Sequence, residues 1–219
     1  MSVRAKEAQS IMTTFFSSDL HFGHARIQEF QPNRPQGTID EMNEFLIANW
    51  NETVDPTDTV YFLGDAAMGK IDASLPLIGR LNGHIYCVGG NHDRYTKSYR
   101  NQTAEKRDEW LQKYRNAGFN DAWDGTVTLT IEGHGVVDMC HFPYLGVEDH
   151  VSDEDRGGQN YDRWRPVDSG RFLLHGHVHG KYGAVTGPRS IDVGIDVPEW
   201  GMRPVSENQI AELISQMQS

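Results

Sequence analysis

Thr59-Val60-Tyr61-Phe62-Leu63-Gly64-Asp65 is an unbroken run of β-branched, aromatic and aliphatic residues that stops on a glycine and an acid. A run this short, apolar throughout, predicts a strand buried on both faces. The arrangement recurs on either side. Thr13-Thr14-Phe15-Phe16-Ser17-Ser18 leads into Asp19, and His84-Ile85-Tyr86-Cys87-Val88 leads into Gly89-Gly90-Asn91-His92-Asp93. Between the first two runs, Thr38 and Glu41 form a capping-box signal, and Met42, Phe45, Leu46, Asn49 and Trp50 follow at helical spacing. Between the second pair, 75–81 predicts a short helix, with Pro76 tolerable only in its first turn. The first half is therefore a β-α-β alternation, the mark of an α/β fold.

The second half changes character. Trp110, Leu111 and Tyr114 on a charged background predict an amphipathic helix over 103–117, closed by Gly118. Segments 126–131 and 136–140 flank Glu132-Gly133-His134-Gly135 and predict a hairpin. Segments 171–174 and 190–193 add two strands. Ser206 with Gln209 caps a final helix carrying Ile210, Leu213, Ile214 and Met217. Residues 1–11 are polar and aperiodic and are expected to be a mobile tail, leaving 12–219 as one domain. Segment 146–168, with five acids between Glu148 and Asp155, predicts an exposed acidic loop.

Composition narrows the function classes. A chain of 219 residues, 37% of them apolar, can bury one sizeable core. Its formal charge of −11 speaks against coating nucleic acid, and no stable nucleic-acid complex is expected. A small phosphate ester is compatible with that charge, because two bound divalent cations would reverse the field locally. Cys87 and Cys140 each lie in an apolar run and read as buried thiols rather than a disulfide framework. No stretch reaches membrane-span length and no secretory pattern opens the chain, so the expectation is a cytoplasmic protein without a membrane partner.

The polar residues at the strand ends carry the chemistry. Asp19-Leu20-His21 sets a carboxylate and an imidazole at i and i+2, on one face of an extended segment. Gly64-Asp65 adds a second carboxylate, which can bridge two metals. Gly90-Asn91-His92-Asp93 adds an amide oxygen, an imidazole and an acid; His141 follows a fourth strand; and His175-Gly176-His177-Val178-His179 offers three imidazoles at alternate positions. Each fragment alone is ordinary. Five in order, each where an apolar run stops, point to one crevice at the strand ends of an α/β sheet. Mixed imidazole and oxygen ligands without a thiolate suit Mn, Fe, Zn or Ni and disfavour calcium or a structural zinc knot.

These motifs resemble, at every position, the five-motif signature of the calcineurin-like metallophosphoesterases, over the stretch from Asp19 to His179. Ser18-Asp19-Leu20-His21-Phe22-Gly23-His24 and Asp192-Val193-Gly194-Ile195-Asp196 also look like a small type common in phages and bacteria. The resemblance implies a four-layer sandwich of two mixed β-sheets flanked by helices. It implies two divalent metal ions, Mn favoured. Asp19, His21 and His179 would hold one and Asn91, His141 and His177 the other, with Asp65 bridging. It further implies a metal-activated hydroxide attacking phosphorus in line, His92 as the acid that protonates the leaving oxygen, and Asp93 orienting His92. His24 and Arg94, beside the motifs, are candidate substrate contacts together with Asn91. Arg26 and Arg34 could also meet phosphate, and His175 reads as a supporting histidine rather than a ligand.

The segment Gly64-Asp65-Ala66-Ala67-Met68-Gly69 lacks the Asp-Arg-Gly extension of serine/threonine protein phosphatases, and Asp93 stands where those have glutamate. The expected substrate is a phosphodiester of a small, possibly cyclic, nucleotide. A phosphomonoesterase is the runner-up, ahead of a non-enzymatic scaffold of the same fold or a nuclease.

Overall fold

Three parallel strands follow from the apolar runs, and a fourth, unexpected one joins them. In the computed structural model, which describes residues 12–147 and 161–219, β1 (Thr14–Ser17), β2 (Thr59–Phe62), β3 (His84–Val88) and β4 (Asp121–Trp123) lie side by side. The expected tail 1–11 and most of the acidic loop, 148–160, lie outside the described residues. A fifth strand, β10 (Val205–Ser206), pairs antiparallel with β1. The helices α1 (Ile27–Phe30), α2 (Ile39–Thr53), α3 (Ile71–Ser74), α4 (Ala104–Ala117) and α5 (Glu207–Gln218) complete the helical set among the described residues. Both capping boxes form, Thr38 with Glu41 and Ser206 with Gln209, and Gly118 ends α4 at a φ of 132°. The 75–81 segment is a 3-10 turn, Leu75–Arg80, continuing α3.

The second sheet has the order β5-β6-β7-β9-β8. β5 (Val127–Ile131) and β6 (Gly135–Met139) form the expected hairpin, β7 (Leu173–His175) and β9 (Ser190–Asp192) run parallel to β6, and β8 (Val185–Gly187) closes the edge antiparallel to β9. The protein is thus an α/β sandwich of two mixed five-stranded sheets.

Alternation along each strand sorts the core. Phe15, Val60, Phe62, Ile85 and Cys87 face Met42, Leu46 and Trp50 of α2 and Tyr114 of α4. Phe16, Leu63 and Val88, on the opposite face, pack with Val137, Met139, Leu174 and Ile191 of the second sheet, joined by Ile210 and Ile214 of α5. Burying each such side chain contributes about 1.5–3 kcal/mol before entropy is charged against it. Both cysteines are free and buried.

The expected fourth, helical layer is not found among the described residues: the outer face of the second sheet is covered by Phe142, Tyr144, Tyr161 and Trp164, from the connection between β6 and β7. The described parts of that connection, 140–147 and 161–172, are loop with one 3-10 turn at Asp162–Trp164. No described helix is long and apolar enough to cross a membrane.

Candidate metal centre

Parallel pairing in register brings the polar motifs to one edge. Ser17 pairs with Phe62 and Phe62 with Cys87, so the chain leaves β1, β2 and β3 side by side. The ladder continues past the strands: Asp19 N donates to Gly64 O at 2.9 Å and His21 N to Asp65 O at 3.0 Å. On leaving, the backbone turns left-handed. Among the described non-glycine residues, positive φ occurs at Asp19 (63°), His21 (50°), Asp65 (60°), His177 (72°) and His179 (51°), and elsewhere only at Met202. The extended i, i+2 geometry expected at Asp19–His21 and His175–His179 is therefore not what aims these side chains. Each such residue carries strain on the order of 1–3 kcal/mol, which persists only where surrounding contacts over-determine it.

What the strain achieves is convergence. His21 Nε2 lies 3.6 Å from both Asp19 Oδ1 and Asp65 Oδ2, and His179 Nε2 lies 3.8 Å from Asp19 Oδ1. His141 Nε2 is 3.5 Å from Asp65 Oδ2, 3.0 Å from Asn91 Oδ1 and 3.3 Å from His177 Nδ1. Asp65 Oδ2 is thus shared by the two groups. Asp19, His21 and His179 each offer an atom within 4.8 Å of the others, as do Asp19, Asp65 and His141, and all are buried. Only small residues fit beneath: a Cβ at Gly90 would collide with Asp65 Oδ1, and one at Gly176 with Ser18 and the Asp19 carboxylate.

The outer ring nitrogens fix the inner ones. Leu63 O accepts from His141 Nδ1 at 2.8 Å, leaving Nε2 to point inward, and His179 Nδ1 meets Asp196 Oδ2 at 2.7 Å with the same effect. Asp19 Oδ2 accepts from His177 N at 3.0 Å. The inward-facing Asp19 Oδ1 and His21 Nε2 are buried with no hydrogen-bond partner. Orphaned atoms of this kind, oxygen and imidazole nitrogen facing one point, fit a divalent cation.

Electrostatics agree with the geometry. Burial disfavours the Asp19 carboxylate, but His179 and His21 outweigh it and hold the carboxyl well below its usual range. Burial likewise opposes the His179 imidazolium, yet Asp19 and Asp196 push it up to about 9. Burial raises Asp65 to about 6 and drives His21 well below its ordinary value. His141 is raised, because Asp65 and Asp19 overcome its burial.

The remaining candidates divide. His92 stands at the mouth, 38% exposed, with Nε2 3.9 Å from Asp65 Oδ2 and its backbone N–H donated to Asp65 Oδ1 at 2.8 Å. Desolvation by the surrounding protein, with His141 next, lowers it to about 4 in spite of that opening. Asp93 is not seen orienting His92: its two oxygens accept from the backbone N–H groups of Asp65, Ala66 and Gly90 at 2.7–3.1 Å, tying the second and third motifs together. His24 lies against the site, its ring 5.6 Å from that of His21. Arg94 does not join them; its guanidinium sits 4.7 Å over the Trp110 ring. Arg26 pairs with Glu29 at the surface. His175, as expected, is no ligand, being held by Gly176 O and the Thr186 hydroxyl at 2.7 Å each.

Arg34 is the residue whose place the sequence reading missed. Fully buried, it donates to both oxygens of Asp196 at 2.7 and 2.8 Å, to Leu20 O at 2.9 Å and to Asp19 O at 2.5 Å. It therefore braces the Asp19 loop and, through Asp196, the His179 ring. Asp192, pushed up to about 7 by burial and then by Asp19, accepts from the Gly194 and Gly180 N–H groups beside it.

Fold and site together define an α/β sandwich with a buried carboxylate–imidazole cage at its strand ends, built from residues able to hold metal. The chain belongs to the family of the mycobacteriophage Gene 66 proteins. It is 36% identical to the Gene 66 protein of Mycobacterium phage D29 over 188 residues, covering 83% of this chain and 87% of that one. It is 32% identical to the Gene 66 protein of Mycobacterium phage L5, covering 92% and 94%. The fold is similar to that of AQ665 from Aquifex aeolicus, a protein of unknown function, with a TM-score of 0.65 and 22% identity over 93% of this chain and 100% of that one. No protein-family profile matches the chain.

Proposed function

We propose that this protein is a phosphoester hydrolase dependent on two divalent metal ions, acting on phosphodiesters of small nucleotides. The reading rests above all on the convergence of seven side chains from five loops, with Asp19 Oδ1 and His21 Nε2 buried and unpartnered at its centre. Asp19, His21 and His179 would hold one ion and Asn91, His141 and His177 the other, with Asp65 Oδ2 between them. Of Mn, Fe, Zn and Ni, all compatible with the donor set, Mn is favoured. When bound, such a pair polarises the phosphoryl group and acidifies a water.

The chain's own residues supply the rest. His92, at the solvent-facing mouth, can pass a proton to the departing oxygen; an anionic substrate beside it favours the imidazolium that this requires. Asp65 positions His92 through its backbone N–H, and Asp93 locks the loops that carry both residues. Asn91, whose Oδ1 lies 3.0 Å from His141 Nε2, and His24, whose ring lies against that of His21, are the candidate substrate contacts, and Arg94 leaves that set.

Assaying the Mn-loaded protein on bis-p-nitrophenyl phosphate beside p-nitrophenyl phosphate tests the assignment. Faster diester turnover is expected, and faster monoester turnover would reverse the order. With nucleoside or alkyl diesters, whose leaving groups are poor, in place of the nitrophenyl esters, His92→Ala retains metal but slows turnover by about 10²–10⁴-fold. Unchanged turnover of such esters removes His92 from the mechanism.

A further inference from the structure

We propose that a cationic cavity beside the metal centre is a second anion subsite, which takes a further phosphate group carried by the same small substrate. The cavity, of about 520 Å³, is lined by Lys97, Arg100, Arg107 and Arg163, with Gln102 and Trp164. Acids outnumber bases 31 to 20 in this chain, yet four cations meet here and, among the described residues, no carboxylate lines the wall.

The pairing pattern sets these cations apart. Arg26, Arg80, Arg115, Arg171, Arg189 and Arg203, all at the surface, each hold a carboxylate at 2.5–3.1 Å. Among the described residues, Arg100, Arg107 and Arg163 hold none. Arg100 and Arg163 rest on the rings of Tyr99 and Trp164, at 5.1 and 4.7 Å. Arg107 donates to Gln102 O at 2.8 Å. Guanidinium groups gathered without a counter-charge, with N–H donors to spare, match phosphate oxygens.

Both walls are continuous with the metal centre. Gln102 donates to Arg94 O at 2.9 Å, and the Thr96 hydroxyl to Gly90 O at 2.9 Å, so the 97–102 segment is tied to the motif that carries Asn91 and His92. On the other side Trp164 packs with Phe142 and Tyr161, whose rings lie 4.9 and 5.7 Å from that of His177. A substrate spanning cage and cavity would carry one phosphate for hydrolysis and another for anchoring.

This inference rests on the hydrolase reading, and the test separates the two. KM would be measured with a nucleoside p-nitrophenyl phosphate and with the same compound bearing one more phosphate on its sugar. In the whole protein, Arg100→Gln and Arg163→Gln together are expected to raise KM for the two-phosphate substrate roughly tenfold or more and leave the one-phosphate substrate unchanged. Equal KM changes for both substrates, or none, would overturn the subsite while leaving the hydrolase in place. A KM that keeps falling as the substrate is lengthened to an oligonucleotide would overturn the small substrate in favour of a strand-binding track. Calorimetry with tripolyphosphate in the presence of a chelator reads the cavity without metal: the double variant should bind at least several-fold more weakly. That weakening in a protein that hydrolyses nothing would leave the anion site standing and sink the hydrolase reading; equal binding by variant and parent would sink the site.

Discussion

The two halves of the cage hold their polar atoms differently. Around His141 the polar atoms satisfy one another, since Nε2 has Asn91 Oδ1 and His177 Nδ1 within 3.3 Å. Against the burial that opposes it, Asp65 and Asp19 raise His141. Around Asp19 no such closure occurs. His21 Nε2 and Asp19 Oδ1 remain 3.6 Å apart with no hydrogen-bond partner, and the buried Arg34–Asp196 pair braces the loops from behind. One half is a hydrogen-bonded cluster, whereas the other is braced by charge placed behind it. Preorganisation of this kind lowers the reorganisation that binding would otherwise demand.

Removing the brace has the largest expected effect. Arg34→Met leaves buried Asp196 with His179 as its remaining cationic partner and should cost about 3–5 kcal/mol in denaturant unfolding of the metal-free protein. A loss under about 1 kcal/mol would mean that the pair contributes little to holding the Asp19 loop. Asp65→Asn comes next, because Asp65 Oδ2 faces both halves. Turnover should fall about 10²–10³-fold, and metal content should drop in both halves rather than one. Asp196→Asn loosens the hold on His179 Nδ1 and also takes the carboxylate from buried Arg34, so a loss of stability accompanies its effect on metal. Metal titration should show affinity lower by about 10–100-fold at one site, with the other little changed. Equal weakening at both would erase the distinction between the halves.

Much of this was legible in the amino-acid order. Strands β1, β2 and β3 are apolar runs that each stop at a polar motif, and the capping boxes at Thr38 and Ser206 are local signals that local structure obeys. Four features were not. The left-handed backbone at Asp19, His21, Asp65, His177 and His179 carries no glycine to announce it, since tertiary contacts impose it against each residue's preference. The Arg34–Asp196 pair joins positions 162 residues apart, which no periodicity encodes. Arg94 was read by its nearness to His92 in sequence, but cation–π contact with Trp110 turns it away. The short strands β4, β8 and β10, of two or three residues, are below the length at which alternation can be recognised.

Elemental analysis of the protein, stripped with chelator, reconstituted with manganese and freed of excess, tests the two-metal cage most directly. The account predicts about two ions per chain, falling towards one in Asp196→Asn. Reconstituted wild-type protein that retains no divalent ion would contradict it.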